Sequence, residues 1–434
     1  MTGVRFALIV TAALAHSAWA QTENPQAEQE ALQQAIGEAG NSQVDFVRAL
    51  EGHLNRYPNS ARRPELERAL VKTVIDLNDD RRIILYGEAV LKREPDNMSV
   101  LEHVATALVH NGDKPSAERA LEHARHLERV VQTAYQSDKL GVHSGRDEAK
   151  RKDESDRSHA RAFLLEARAH GLLGHTGEAI QLAESSYTVF PSVEAARESA
   201  KWLAAAGKNQ EAIEYLANAF TIAGLKSADP EVANDRVKMA ELYRKQKGSD
   251  TGLGDVILKA YDTTSQQLAA RRDQLRQLDP NASVKDLMHF TITGLDGEKL
   301  QLASLTGKVL VLDFWATWCG PCRGQHPLYE EVKARFRDSS DVVFLSIDTD
   351  EDHALVKPFL ESQKWTQKVY FEDGLSSMLQ VTSIPTAMVF GKKGEIISRM
   401  AGYVPERFVD MLSDRIDEAL GRSSTAQPLK VVSQ

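Results

Sequence analysis

DFWATWCGPCRGQHP, residues 313–327, holds both cysteines of this 434-residue chain, Cys319 and Cys322. A bridge between residues so close restrains almost no chain, so it does little for stability. Its value is chemical. A lone C-x-x-C is also half of a zinc site, but no second cysteine pair exists to complete one. The spacing therefore reads as a redox dithiol. Cys319 is expected just before a helix, where unpaired backbone N–H groups and the helix dipole stabilise its thiolate. That makes it the nucleophile, with Gly320 and Pro321 fixing a tight geometry that leaves it exposed. Cys322, one turn into the helix and more buried, is the expected resolving thiol. Pro327, five residues on, lacks an N–H for the turn before it and is expected to kink the helix.

The flanks give the pair its setting. KVLVLDFWA (308–316) and DVVFLSIDTD (341–350) are continuous apolar runs of the buried-strand kind, and HPLYEEVKARFRD between them has helical spacing. FTITGLDGEKLQL (290–302) alternates around Asp296-Gly297, a hairpin signal. ALVKPFLESQKW predicts a helix, TAMVFGKKGEIISRMAG a strand–turn–strand, and PERFVDMLSDRIDEALG a closing helix. Strands that alternate with helices and end in a hairpin predict a mixed sheet with helices on its faces.

DFWATWCGPC, with Pro327 and Ser-Ile-Pro-Thr at 383–386, resembles the thioredoxin fold. The preceding hairpin and the longer segment 348–380 resemble its exported TlpA/ResA-like branch. The resemblance covers about a third of the chain, residues 284–421. It implies a cis bond between Ile384 and Pro385 facing the cysteine pair, with the Ile384 backbone free to pair with an incoming chain like an added strand. Trp318, Gly320, Pro321, Ile384 and Pro385 are thus the expected substrate-binding residues, and Trp315 and Trp318 are read as partly core. Family clients include apocytochromes awaiting haem attachment. No metal or cofactor is expected.

Gln325 departs from the branch pattern, which places glutamate after the second cysteine as Cys-Lys/Arg-x-Glu-x-Pro. An amide takes no proton, so one candidate base for the resolving thiol is missing. Asp313, six residues before Cys319, stands where classical thioredoxins carry a buried aspartate. Desolvation there raises the pKa and suits the carboxyl to take the Cys322 proton. His326 is read as a surface residue.

From about residue 44 to 280 the sequence reads as helix after helix, with stops at Pro58, Pro95, Pro191, Pro230 and Pro280. Gly-Glu-Ala-Ile at 177–180 returns as Gln-Glu-Ala-Ile at 210–213, and Ala179 to Ala212 is 33 residues. That is close to the tetratricopeptide period of about 34, and the segment resembles such a repeat. It departs from the pattern in lacking the closing proline, where Gly224 stands. The charged stretch 137–160 reads as a solvated loop or helix extension, and His123 and His126 as exposed helix residues. Residues 21–43 read as a polar leader and 422–434 as a flexible tail.

Residues 1–20 have one positive charge, a short apolar run and small residues at Ala18 and Ala20. That is a secretory signal pattern, with cleavage expected before Gln21. It places the mature protein in the periplasm or outside the cell, soluble. The net charge of −9 carries no basic patch of the kind nucleic acid requires.

The sequence thus predicts a multidomain chain, an all-α helical repeat domain (44–280) before an α/β thioredoxin-fold domain (284–421). The expected activity is reduction of protein disulfides through Cys319 and Cys322, fed by a membrane thiol donor, with the helical repeats contacting a protein partner. Gly-Pro between the cysteines favours reduction, since thioredoxin shares that dipeptide and has a potential of about −270 mV, against about −120 mV for strongly oxidising relatives. A scaffold using the same domain only to bind peptides, and an oxidase or isomerase with the same site, are the alternatives.

Overall fold

The computed structural model describes residues 25–138, 145–224 and 229–422. The expected signal (1–20) and all but the first residue of the expected tail lie outside them. The described residues form two compact units, one ending at Gly112 and one beginning at Asp113.

The first unit is helical: α1 (Pro25–Ala39), α2 (Gln43–Arg56), α3 (Arg63–Asp76), α4 (Asp80–Leu91) and α5 (Met98–Asn111). Side-chain caps from Ser42, Asp79 and Asn97 start α2, α4 and α5, as oxygen-bearing residues do where helix N–H groups lack partners. The stretch read as a loose leader is helical from Pro25 onward. Its Leu32 is fully packed, and Glu28 is buried where it accepts hydrogen bonds from Ser60 and His53. The polar composition concealed that one face of α1 is apolar.

The second unit begins with seven more helices: α6 (Lys114–Asp138), α7 (Gly145–Leu172), α8 (Thr176–Val189), α9 (Val193–Ala205), α10 (Asn209–Ala223), α11 (Pro230–Lys247) and α12 (Leu253–Leu278). The proline stops fall between helices or at a helix start, as read. Consecutive helices from α6 to α11 pack on one another. Alanines at 179, 183, 195, 196, 200, 212 and 217 are buried along the seams, which lets the backbones approach. Gly171 is the closest approach: a Cβ there would lie 1.9 Å from the Trp202 ring. Arginines also tie the helices laterally. Arg168 pairs with Glu194 and Glu198, and Arg197 with Glu231 and Asp235.

The sheet follows. A hairpin of β1 (Thr291–Thr293) and β2 (Lys299–Gln301) turns at Asp296-Gly297. Then come β3 (Val309–Trp315), α13 (Gly320–Arg335), β4 (Val342–Asp348), α14 (Val356–Gln363), β5 (Val369–Phe371), α15 (Leu375–Met378), β6 (Thr386–Phe390), β7 (Ile396–Ala401) and α16 (Pro405–Ala419). The order is β5-β4-β3-β6-β7, with β3, β4 and β5 parallel and β6 and β7 antiparallel to their neighbours. This is the mixed sheet that the sequence pattern implied.

All seven residues of β3 are buried because it is the central strand, covered on both faces. Leu310, Leu312 and Phe314 face a core with Phe290, Ile292 and Phe390. Val309 and Val311 face α13 and α16 through Tyr329, Val332, Phe408 and Leu412. Alternation puts Asp313 and Trp315 on this second face, and register places Ser346 and Asp348 beside them. The polar row of the sheet therefore lies under the helix that carries the cysteines.

Candidate redox site

Strand β3 ends at Trp315, and the chain turns through Ala316–Cys319 into α13. The Cys319 N–H donates to the Ala316 carbonyl at 3.1 Å, closing the turn. Cys319 is the N-cap of α13, its Sγ accepting from the Cys322 N–H at 3.1 Å. Backbone donors and the positive helix end thus converge on this sulfur and favour a thiolate. Cys319 and Cys322 are joined in a disulfide, their Cα atoms 5.3 Å apart.

Two expectations about exposure fail. Cys319 is 3 % exposed and Cys322 4 %, so the nucleophile is not open to solvent and the two sulfurs are equally covered. The pair sits in an apolar cluster with Trp315, Val356, Leu360 and Phe371, with Ile384 packed at its edge. The exposed element is Trp318, at 70 %, while Trp315 is fully core. Gly320 and Pro321 are also exposed at the helix start.

The Ile384–Pro385 bond is cis, as the resemblance implied. Pro385 is buried and its carbonyl accepts from the Gly402 N–H at 2.9 Å. The backbone N–H and C=O of Ile384 have no backbone partner among the described residues. An approaching strand finds both groups free beside the cysteines.

Asp313 and Gln325 meet under α13. Gln325 is 2 % exposed, and its Nε2 donates to Asp313 Oδ1 at 3.5 Å, the outer limit of a hydrogen bond. Burial pushes the Asp313 carboxyl up to about 7, and the Gln325 amide opposes that only in part. Gln325 Oε1 is buried without a partner. Gln325 thus carries an amide where the resemblance implies an acid, and the carboxyl of this buried pair is Asp313. His326 is half-buried rather than a surface residue: its ring stacks on Trp365 at 3.7 Å, and burial lowers its pKa. Pro327 lies inside α13 on its exposed side.

Sequence reading missed the end of β4. Thr349 donates its N–H and its hydroxyl to the Trp315 carbonyl, at 2.9 and 3.0 Å. Asp350 accepts from the Thr317 N–H at 2.7 Å and the Thr317 hydroxyl at 2.9 Å. Asp348 is fully buried, its carboxyl set against the side chain and backbone of Asp350. The signal was present as two acids closing an apolar strand run, which is no place for charge without a purpose.

Residues 307–396 match the family model described as thioredoxin-like. The chain is 29% identical over 120 residues to the thiol-disulfide oxidoreductase ResA of Bacillus cereus, covering 27% of this chain and 69% of that protein. It is 29% identical over 127 residues to the thioredoxin-like protein YneN of Bacillus subtilis, covering 29% of this chain and 75% of that one. Among solved structures, a thiol:disulfide interchange protein of the thioredoxin family from Chlorobium tepidum TLS is 27% identical. That match covers 30% of this chain and 93% of the other, with a TM-score of 0.27.

Proposed function

We propose that this chain, a thiol–disulfide oxidoreductase with a thioredoxin-like domain at residues 307–396, reduces disulfides in exported client proteins. The observation that supports this reading is the buried Asp313 beneath the cysteine helix, whose carboxyl burial pushes up to about 7. Gly320-Pro321 between the cysteines supports the same reading.

In the reduced state the Cys319 thiolate, capped by the N-terminus of α13, attacks one sulfur of the client disulfide. A mixed disulfide forms and one client thiolate leaves. Cys322 then gives its proton to the Asp313 carboxylate, and its thiolate attacks Cys319 Sγ. The intramolecular disulfide forms, the second client thiolate departs, and Asp313 returns its proton to solvent or to the leaving thiolate. Trp318 and the free backbone of Ile384 hold the client strand during both exchanges. The oxidised pair is then reset by a membrane thiol carrier drawing electrons from the cytoplasm.

Export rests on the signal pattern of residues 1–20. No helix among the described residues is long and apolar enough to cross a membrane. We assign the helical repeats to 44–280 and the redox domain to 284–421. The tetratricopeptide reading is supported by the close Gly171–Trp202 approach and by the arginine–acid ties that recur from α7–α9 to α9–α11. In this reading the repeats bring a partner protein to the redox site.

The test is the equilibrium potential of the Cys319–Cys322 couple in glutathione or dithiothreitol buffers. A value of about −250 mV or lower supports the reductase, and about −150 mV or higher makes the protein an oxidase or isomerase. The scaffold reading predicts that Cys319→Ser leaves function intact in the native host.

A further inference from the structure

The loop that carries Trp318 and Cys319 is held from the neighbouring strand by residues that take no part in the sulfur chemistry. Thr349 fixes the Trp315 carbonyl with two hydrogen bonds, and Asp350 fixes Thr317 with two more. Trp318 stands out into solvent between the anchored Thr317 and the buried Cys319. Those anchors add to the Cys319 N–H to Ala316 bond that closes the turn and to the helix bonds that Cys319 accepts.

Asp350 is 4 % exposed. A carboxylate so buried is tolerable only with strong donors, and a backbone N–H and a hydroxyl from one residue supply them. Asp348, two residues earlier on the strand, is fully buried with its carboxyl against Asp350. The two differ in their partners: Asp350 accepts both hydrogen bonds from Thr317, while the Asp348 carboxyl lies against the side chain and backbone of Asp350. Burial first and the Asp350 carboxyl second push Asp348 up to about 9, in the same sense.

We propose that Asp350 is a positioning residue for client recognition, fixing Thr317 so that the Trp318 indole is presented beside Cys319 in one orientation. This rests on thiol–disulfide exchange at Cys319 and Cys322 but not on its direction.

The experiment compares two substrates of the reduced full-length chain: insulin, whose disulfides must be docked, and oxidised glutathione, which is small enough to need no platform. Asp350→Ala is expected to raise KM for insulin about tenfold, the scale of losing charge-assisted hydrogen bonds. The rate with oxidised glutathione and the equilibrium with it should change by no more than about twofold. Asp350→Asn keeps one acceptor for Thr317 and should recover most of the loss. Because removing a buried carboxylate also tests the fold, Thr317→Val is the second variant; it removes the hydroxyl alone and should raise KM for insulin in the same selective way. Trp318→Ala should abolish the difference between the Asp350 variants and their parent. Equal losses with both substrates, a fall in kcat with KM unmoved, or a shifted equilibrium with glutathione would overturn the proposal. A parent chain whose potential proves oxidising revises the direction of flow only, and the same comparison then runs with the oxidised chain and reduced, unfolded ribonuclease against reduced glutathione.

Discussion

Replacing Asp313 by asparagine should make the protein more stable and a slower catalyst. The carboxyl is 8 % exposed, and burial raises its pKa to about 7, against about 3.9 in an unfolded chain. Between those values the folded protein keeps a proton that the unfolded chain has lost, so stability falls as pH rises through that window. The penalty levels off above pH 7. At about 1.4 kcal/mol per unit, the shift costs about 1 to 2 kcal/mol at pH 5 and about 4 kcal/mol above pH 7. Asparagine has nothing to titrate and still accepts from Gln325 Nε2, so Asp313→Asn recovers that pH-dependent cost. The assay is hydrogen exchange of the β3 amides in the oxidised full-length chain, at pH 5 and pH 8 after correction for intrinsic rates. Protection should rise at both pH values, and by about 2 to 3 kcal/mol more at pH 8. The same variant should resolve the mixed disulfide about a hundredfold more slowly, as expected for loss of a positioned base. A variant equally stabilised at both pH values, or destabilised at pH 8, would show that Asp313 does not hold its proton into the neutral range.

Gln325→Glu should place a second buried carboxyl against Asp313, so that the two share a proton and the last ionisation moves above pH 7. The alkaline rise in client reduction should move up with it, as a stopped-flow pH profile would record. Asp348→Asn should flatten the dependence of stability on pH between about 4 and 9, because the wild-type carboxyl is raised and its cost grows across that window; urea unfolding of the sheet at pH 5 and pH 8 measures it. Gly171→Ala should destabilise α7 against α9 by about 1 to 3 kcal/mol, since its Cβ has no room beside Trp202, and a thermal scan by circular dichroism reads the loss.

Much of the redox domain was legible because its signals are local. The runs around Leu312 and Leu345 are apolar at most positions, as central parallel strands are, and Asp296-Gly297 marks its own turn. Strand β5, three residues long, left too short a pattern to recognise and is held by β4 on one edge and by Gly294 and Leu295 on the other. At the site, the cysteine spacing and Asp313 were readable from chain order. The burial of Cys319 was not, because it depends on Val356, Leu360 and Phe371 arriving from elements far along the chain. Asp350 was missed for the same reason: its partner Thr317 is 33 residues away, beyond the end of another strand. The helix α1 shows the limit of composition, since Leu32 finds its core only after folding.

In the proposed reading of an exported reductase, the covered cysteines have a consequence for how electrons are kept. In its disulfide Cys319 offers 3 % of its surface, so small diffusing molecules reach it rarely, however favourable their reaction with it is. The leak is throttled by access rather than by driving force. What gains entry is a chain that can lean on Trp318 and lie along Ile384. Selectivity of this kind is kinetic insulation: electrons are spent at the rate at which the right partners dock, and the rest of the compartment is left at its own poise.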